Sequence, residues 1–515
     1  MDINPPPVIS QRRESAVLII GAGVGGLCTA VQLQMQLGCH DFHIYDSNVV
    51  PGGVWAVQKY PGVACDVPAD FYSFSFFPAN WTQFRPSGAE LQRYFEALTI
   101  HYRLYPHLTF ESVAEDARWD IPSARWIVRI RTRVRSENIR DEKEGQWMWI
   151  EHRARILCSA AGGLVEPKMP DIKGLADFEG KIVQSAAWDS TLDLTGKDVA
   201  VFGNGPTGSQ IVPAIMPSVS SLIHISRSAP WYRAAIDFPY GRIVRWILAH
   251  IPLARRLLRW FLALVTELAF LDTNMKEGQK GRTKKRLEAE AHIRKTAPQT
   301  YWKVLKPDFE FGCKHAVWDA GYLKSLNDSK ATLIISSDVS VVPRGVSHNG
   351  EIHPVDVIIL ATGYIPTHGV GNLRVIGRGG KTLAQHWQEN GGVSAYGTIA
   401  VNEFPNFFLI KGPNTASTNT SAILITENVV NLAIKVMKPV LQNMAVEVEV
   451  KDTAEKKYTD LVQATSLKKV WYAGCSSWYF SENGNGWNVV LYPFSQIYCW
   501  WSSLIPQWND WEYRN

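Results

Sequence analysis

Two glycine-rich segments, each placed between an apolar run and a helical pattern, carry the most chemical information in this chain. The first follows the run Ala16–Ile20 and has glycines at Gly21, Gly23 and Gly26, and Asp46 ends the next strand-like run. Glycines at this spacing let a strand turn sharply into a helix whose N-terminus faces a diphosphate. A carboxylate at position 46 accepts hydrogen bonds from ribose hydroxyls, which suits FAD or NAD and not a 2′-phosphate.

The second segment has the same layout but a different charge at its end. It follows the apolar run Asp198–Phe202, and the next strand-like run ends at Ser226 and Arg227. A guanidinium binds a 2′-phosphate through two hydrogen bonds, whereas a carboxylate would repel it. We therefore expect one chain to bind FAD at the first segment and NADP(H) at the second. The predicted residues of the second turn are Asn204, Gly205, Pro206, Thr207 and Gly208.

Composition limits the class of protein. A chain of 515 residues with 46% hydrophobic and 20% charged residues is typical of a soluble globular protein with more than one domain. The net charge of +5 is accompanied by no basic arm and no nucleic-acid-binding motif, so we expect no nucleic-acid partner. The seven cysteines are scattered without a C-x-x-C pair, which indicates neither a disulfide framework nor a metal site and favours a reducing compartment.

The chain shows no targeting or membrane-spanning signal. Met1–Ser15 contains prolines and charges but no apolar core, so we expect no signal peptide and a cytoplasmic location. Residues 243–271 are apolar but interrupted by arginines and by Glu267, which excludes a spanning helix. We expect this segment to pack on its own protein, although contact with a membrane surface stays open. The sequence does not indicate the oligomeric state.

The pattern of elements predicts an α/β fold with two Rossmann-like dinucleotide-binding domains, one for FAD and one for NADP. Residues 1–162 are the first part of the FAD-binding domain, and residues 372–515 are its second part together with a C-terminal segment. Residues 163–371 form the NADP-binding domain. Helical periodicity with paired charges replaces the strand pattern at about 232–305, so we place an all-helical insertion there. A further helix is expected at about 422–441.

Further motifs make the chain resemble the flavin-dependent Baeyer–Villiger monooxygenases, in particular their fungal secondary-metabolite branch. The motifs are Gly52-Gly53-Val54-Trp55, Tyr60-Pro61-Gly62, Cys65-Asp66, Tyr72-Ser73-Phe74-Ser75-Phe76, Gly312-Cys313-Lys314, Ala361-Thr362-Gly363, Gly412-Pro413-Asn414 and Ser477-Trp478-Tyr479. The resemblance covers nearly the whole chain. It implies an enzyme in which NADPH reduces FAD, O2 adds to give a C4a-peroxyflavin, and one oxygen atom enters a carbonyl substrate. The substrate class it implies is large and apolar, such as a polyketide or terpenoid.

The resemblance also implies roles for individual residues. Gly53, Val54, Trp55, Asp66 and Tyr72 belong to the flavin-binding set, with Asp66 beside the isoalloxazine ring. The residues implied to hold NADP are Thr207, Gln210, Arg227 and Lys314. A second cation facing the guanidinium would help to neutralise a phosphate that carries nearly two charges.

Two positions depart from the family pattern. Gln184 stands where the family signature beginning at Phe178 has a histidine, and an amide keeps hydrogen bonds but does not titrate. His315 stands where the catalytic arginine follows the Gly-Cys-Lys triplet. An arginine there is a permanent cation beside a developing oxyanion, whereas a histidine is mostly neutral at physiological pH unless its proton is held.

These departures leave the reaction open. We hypothesise an Asp66···His315 pair that either holds an imidazolium in place or makes His315 a general acid or base. His315 could instead mark a lost function. The alternatives to carbonyl oxygenation are hydroxylation or epoxidation on the same flavin scaffold, and a non-oxygenating cyclisation or rearrangement that uses Asp66 and His315 for acid–base chemistry. Gln184 completes the candidate catalytic set.

Overall fold

The computed structural model describes residues 9–134, 146–418, 420–481 and 486–515, so the first eight residues of the segment examined for a signal peptide lie outside the described chain. The strands are β1 (Ile9–Ile20), β2 (Phe42–Tyr45), β3 (Leu108–Thr109), β4 (Ser112–Asp120), β5 (Arg125–Val134), β6 (Gln146–Ser159), β7 (Leu164–Pro167), β8 (Lys181–Gln184), β9 (Asp198–Phe202), β10 (Ser221–Ser226), β11 (Tyr232–Ala234), β12 (Val317–Asp319), β13 (Ala331–Ile335), β14 (Val339–Val342), β15 (Gly345–His348), β16 (Glu351–Pro354), β17 (Val357–Leu360), β18 (Tyr364–Pro366), β19 (Arg374–Ile376), β20 (Phe407–Leu409), β21 (Glu447–Val450) and β22 (Trp511–Arg514). The α-helices are α1 (Val24–Leu37), α2 (Val54–Val57), α3 (Gly88–His101), α4 (Pro206–Ile215), α5 (Arg242–His250), α6 (Ala254–Phe270), α7 (Gln279–Thr296), α8 (Trp302–Leu305), α9 (Tyr322–Ser325), α10 (Leu383–Glu389), α11 (Ala422–Leu441), α12 (Asp452–Ser466) and α13 (Gln496–Leu504).

The larger sheet surrounds the first glycine-rich turn. Its order is β19-β4-β5-β6-β1-β2-β3, and β20 also pairs with β6. β1 pairs in parallel with both β2 and β6, so its apolar end, Val17–Ile20, is buried on both faces. Helices α1 and α11 pack together against this sheet. Its strands come from two separate stretches of chain, residues 9–159 and residues 374–409.

The smaller sheet surrounds the second turn. Its order is β13-β10-β9-β17-β8, and every recorded pairing in it is parallel. Both glycine-rich turns therefore follow the carboxyl end of a central parallel strand, where open α/β sheets bind nucleotides. This confirms the predicted α/β class with two Rossmann-like units. Between the two sheets the chain passes through β7 and returns through β18, and these two strands pair with each other.

The inserted segment is helical except at its beginning. Helices α5 to α8 confirm the prediction for most of residues 232–305, but β11 occupies Tyr232–Ala234 and pairs in parallel with β12. The all-helical prediction was wrong here because three residues are too few to show a strand periodicity. Tyr232 is fully buried and stacks on Tyr322 with ring centroids 5.1 Å apart, so tertiary packing fixes this strand.

The expectation of no disulfide is also wrong. Cys313 and Cys475 form a disulfide with their Cα atoms 6.2 Å apart, while the other five cysteines are free. The two partners are separated by 162 residues, so no local spacing motif could reveal them. The inference of a reducing compartment loses its basis with this bond. Within the described ranges, no helix has the length and apolar character needed to cross a bilayer.

Candidate active site

The first nucleotide cradle is a turn that only glycine fits. Gly21 has φ +105°, and a Cβ there would lie 2.4 Å from the carbonyl oxygen of Ala160. A Cβ at Gly26 would lie 1.8 Å from the carbonyl oxygen of Gly21. The backbone of Gly53 approaches that of Gly23 so closely that a Cβ on Gly53 would lie 2.8 Å from the Cα of Gly23. The N-terminus of α1 is thus uncovered by side chains, which fits a diphosphate.

Asp46 lies at the end of β2 with a fixed orientation. The backbone N–H groups of Ala22 and Asn48 each donate to one of its carboxylate oxygens. Burial raises the pKa of Asp46, and these two hydrogen bonds oppose that effect. A carboxylate has about four lone-pair sites, so acceptor capacity remains for a ribose diol. The residues of this cradle therefore fit FAD.

The second cradle repeats the geometry. Gly203 has φ +107°, and a Cβ at Gly208 would lie 1.9 Å from the carbonyl oxygen of Gly203. A Cβ at Gly205 would meet no atom within 4 Å, so space is open beside the N-terminus of α4, which begins at Pro206. Asn204 donates its amide N–H to the Ser226 hydroxyl across 3.0 Å and ties the turn to the end of β10.

Two cations face each other next to this cradle. Arg227 is exposed and directly follows the buried Ser226. Burial lowers the pKa of Lys314, Asp308 opposes this, and the positive charge of Arg227 lowers it further. The Lys314 Nζ also lies 4.7 Å from the centre of the Phe309 ring. Two facing cations suit a doubly charged phosphate, so these residues fit the 2′-phosphate of NADP.

Thr207 and Gln210 contact the first domain. The Tyr60 hydroxyl donates to the Gln210 side-chain oxygen across 2.9 Å, and the Gln210 amide donates to the Ala64 carbonyl across 3.0 Å. Thr207 also hydrogen-bonds to Tyr60. A Cβ on Gly62 would lie 2.6 Å from the Gln210 carbonyl oxygen, so the loop packs closely on α4. These contacts place the loop that carries Asp66 against the second nucleotide unit.

Trp55 and Tyr72 form a pair on the flavin side. The Trp55 indole N–H donates to the Tyr72 hydroxyl across 3.1 Å, and their rings meet edge to face with centroids 5.7 Å apart. Tyr72 is buried, while Val54 and Trp55 at the start of α2 stay half-exposed. The half-exposed apolar surface beside Gly53 is suited to a planar aromatic ring.

Asp66 is paired with Arg85, which sequence reasoning missed. The Arg85 guanidinium donates to a carboxylate oxygen of Asp66 and, through Nε, to the Cys65 carbonyl across 3.2 Å. Arg85 is only 4% exposed. Burial raises the pKa of Asp66, while Arg85 and, to a smaller extent, His315 lower it. The Asp66···His315 pair hypothesised from the sequence is therefore an electrostatic contact beside a stronger ion pair. No motif surrounds Arg85, so no sequence signal singled it out.

His315 lies near two charged side chains, Asp66 and Arg233. The residue is exposed. Burial lowers the pKa of His315, Asp66 raises it, and Arg233 lowers it, with a net downward direction. Arg233, also missed from the sequence, lies over the Trp318 ring at 4.4 Å. The imidazole is thus uncharged near neutral pH, which favours the acid–base reading of this residue over a fixed imidazolium.

The C-terminal segment holds the loop that carries Lys314 and His315. The disulfide joins Cys313 to Cys475 directly before these two residues. The His315 backbone N–H hydrogen-bonds to the Tyr479 hydroxyl, and Tyr479 is buried. Two attachments on either side of Lys314 therefore hold the backbone of residues 313–315 against the C-terminal segment.

Gln184 lies elsewhere, at the carboxyl end of β8. Its side-chain oxygen accepts from the Ser185 backbone N–H across 3.1 Å, and its amide lies 3.8 Å from the Met169 sulfur. Met169 belongs to the connection between the two sheets, just after β7. The recorded contacts of Gln184 thus place it at the interdomain connection and not with Asp66 and His315.

Comparisons with known proteins identify the relatives of this chain. Residues 19–84 match the family model described as an NAD(P)-binding Rossmann-like domain. A Baeyer–Villiger monooxygenase of Pseudomonas aeruginosa is 31% identical over 499 residues, which cover 96% of this chain and 90% of the relative. The FAD-binding monooxygenase ktnD of Aspergillus niger is 28% identical, with coverage of 95% of this chain and 81% of the relative.

Solved structures of related enzymes share the fold. A steroid monooxygenase described as oxidised and bound to NADP superposes with a TM-score of 0.83 at 22% identity, covering 98% of this chain and 100% of the other. A closed crystal structure of cyclohexanone monooxygenase has the same TM-score and coverage at 20% identity. The extent and identity of the bacterial match define the class: the chain belongs to the Baeyer–Villiger monooxygenase family.

Proposed function

We propose that the protein is an FAD- and NADPH-dependent monooxygenase that inserts one atom of O2 into a carbonyl compound. The observation that carries this proposal is the contrast between the two cradles, Asp46 in one and Arg227 with Lys314 in the other. The contact between Tyr60 and Gln210 joins the cradles at the loop that carries Asp66. When bound and reduced, FAD supplies the activation of O2.

Different residues of the chain are suited to bind different parts of the two cofactors. Asp46 would hold the FAD ribose, and the N-terminus of α1 would bind the FAD diphosphate. The N-terminus of α4 would bind the NADPH diphosphate, while Arg227 and Lys314 would bind its 2′-phosphate. The half-exposed Trp55, fixed by Tyr72, would pack on the flavin ring and exclude water from that side.

Arg85 supplies the fixed cation that position 315 no longer provides. A carbonyl oxygen gains negative charge when the carbonyl carbon is attacked, and a preorganised cation stabilises that charge. A guanidinium stays protonated at any physiological pH, whereas His315 is neutral. Because Arg85 is buried and bonded to Asp66, its charge has a fixed position. His315 is then free to hold or move a proton at a ring nitrogen.

The substrate class we propose is a large apolar carbonyl compound, such as a polyketide or terpenoid intermediate of secondary metabolism. Similarity to fungal FAD-binding monooxygenases supports this class. The exposed Trp478, next to the residue that holds His315, supplies apolar surface for such a molecule.

Oxygen labelling tests the function. The FAD-loaded protein is incubated with a panel of apolar ketones and NADPH under 18O2, and products are identified by mass spectrometry. We expect an ester or lactone that contains one labelled oxygen atom, and no product when NADPH is omitted. A product that forms without label would contradict the proposal and support the acid–base alternative, although that alternative leaves Arg227 and Lys314 without a use.

Hydroxylation or epoxidation is the second candidate. The observation in its favour is that position 315 holds a titratable imidazole and not a fixed cation, because proton transfer serves these reactions better than a second fixed cation does. The same labelling experiment separates the two, since the labelled product would be an alcohol or an epoxide and not an ester.

A further inference from the structure

Helices α5, α6 and α13 present large apolar side chains to solvent. Ile243 and Trp260 are each 77% exposed, and Trp501 is 57% exposed. Isolated exposed apolar residues are ordinary, but a contiguous group of this size marks an interaction site. We call this group the aromatic face, and its principal members are Ile243, Leu257, Trp260, Phe261, Trp500 and Trp501.

The orientation of α6 is the reverse of that of a surface helix, which turns its apolar side inward. Arg255 donates to the buried Asp70 carboxylate across 3.0 Å, and Arg259 donates to the Ser73 carbonyl across 2.8 Å. Arg259 also lies 3.8 Å from Glu427 of α11. The polar side of α6 is thus fixed to the protein by buried ion pairs, and its apolar side faces outward.

Contacts between helices connect the elements that carry the aromatic face. A carboxylate oxygen of Glu267 on α6 accepts from the Gln496 backbone N–H at the start of α13 across 3.0 Å. At the other end of α13, Lys435 of α11 donates to the carbonyls of Ser503 and Leu504, each across 2.8 Å. Helix α13 is therefore attached to both α6 and α11, and α5 packs on α6.

The charges and side-chain types of this surface favour a lipid bilayer over a second protein. Arg242 and Arg256 are exposed within it, whereas Glu267 is the only acid between residues 242 and 271 and is engaged with α13. Residues Gln496–Leu504 carry no charge. Tryptophan and arginine beside aliphatic side chains are typical of helices that lie in the interface of an anionic membrane. A second copy would instead bury these arginines without acidic partners.

We infer that the aromatic face binds the surface of an anionic lipid bilayer, with α5, α6 and α13 lying in the interface and not crossing it. The aromatic face includes no residue of the Asp66 and Arg85 site, so the inference does not depend on the proposed reaction. The outward side of residues 243–271 then contacts lipid, while their inward side packs on the protein.

Vesicle flotation of the FAD-loaded full chain tests the inference. We expect the protein to float with vesicles of phosphatidylcholine and phosphatidylserine, more weakly with phosphatidylcholine alone, and less at high salt. Leu257→Glu and Trp260→Glu should each weaken binding at least about tenfold, because each removes a large apolar side chain from the interface. Arg256→Glu should reduce the preference for phosphatidylserine.

Leu461→Glu is the matched control, because Leu461 is a 47% exposed leucine on α12, outside the aromatic face. It should float like the unchanged protein. Flavin content and melting temperature of each variant show that it is folded. Absence of flotation with both vesicle types would overturn the inference. So would a solution dimer that Leu257→Glu converts to a monomer, because a second copy would then occupy the face. NADPH oxidation without vesicles tests the reaction separately.

Discussion

At the scale of single residues, proton transfer at this site depends on His315. Burial and Arg233 lower the pKa of His315 below its ordinary value of 6.5, and the opposing effect of Asp66 does not restore it. The side chain therefore carries a proton only in acidic solution and is neutral where the enzyme is expected to work. A neutral imidazole accepts and returns a proton, whereas Arg85 does neither.

The pH dependence of turnover tests this role of His315. If the neutral imidazole is required, kcat/KM should fall as the pH drops below 6.5 through the pKa of His315. His315→Gln should lower kcat and remove that acidic decline, because an amide does not titrate. An unchanged decline in His315→Gln would assign the titration to another group and contradict the role. His315→Arg serves as the comparison, since it restores the family residue without a titrating group.

Arg227 determines the choice between NADPH and NADH. Arg227→Ala should raise the KM for NADPH about tenfold to a hundredfold, because it removes a charge-assisted pair worth about 1.5–3 kcal/mol. The KM for NADH should change little. Lys314→Ala should act in the same direction. Arg344→Ala is the matched control, because Arg344 is exposed in the same domain away from the second cradle. Equal effects on both nucleotides would contradict the assignment of the 2′-phosphate.

At the scale of elements, the sequence predicted those helices and strands whose residue pattern is local. The helix expected at about 422–441 is α11, Ala422–Leu441, because its apolar residues recur at helical spacing. The strand β11 and the partners of Asp66 depend on contacts between distant segments. Arg85 reaches Asp66 because residues 65–69 run beside residues 84–86, with hydrogen bonds of 2.9 Å from the Cys65 N–H to the Pro86 carbonyl and 2.7 Å from the Ala69 N–H to the Phe84 carbonyl. No spacing rule relates these segments.

Thiol counting tests the element that holds His315. Under denaturing, non-reducing conditions, five of the seven cysteines should react with an alkylating reagent, and all seven should react after reduction. Peptide mapping should place the two protected residues at Cys313 and Cys475. Seven reactive thiols before reduction would show that the bond does not form. If the bond does not form, Cys475→Ser should have the same turnover as the unchanged protein. If the bond forms, Cys475→Ser should lose activity.

At the scale of the whole molecule, the proposed reaction centre lies where three parts of the chain meet. The first nucleotide unit contributes Asp66 and Arg85, the segment entering the insertion contributes Arg233, and the loop after the insertion contributes His315. The two glycine-rich motifs were enough to predict both nucleotide units and the α/β fold. The sequence indicated the missing arginine at position 315, but it did not indicate Arg85, the guanidinium that we propose in its place.

The most direct test of this account is the yield of oxygenated product per NADPH oxidised in Arg85 variants. Arg85→Met should lower that yield about a hundredfold or more and divert the electrons to hydrogen peroxide, because the oxyanion loses its fixed cation. Arg85→Lys should retain part of the yield, and FAD content should be unchanged in both variants. If Arg85→Met contains FAD and gives the same product yield as the unchanged protein, Arg85 is not the catalytic cation and the account is wrong.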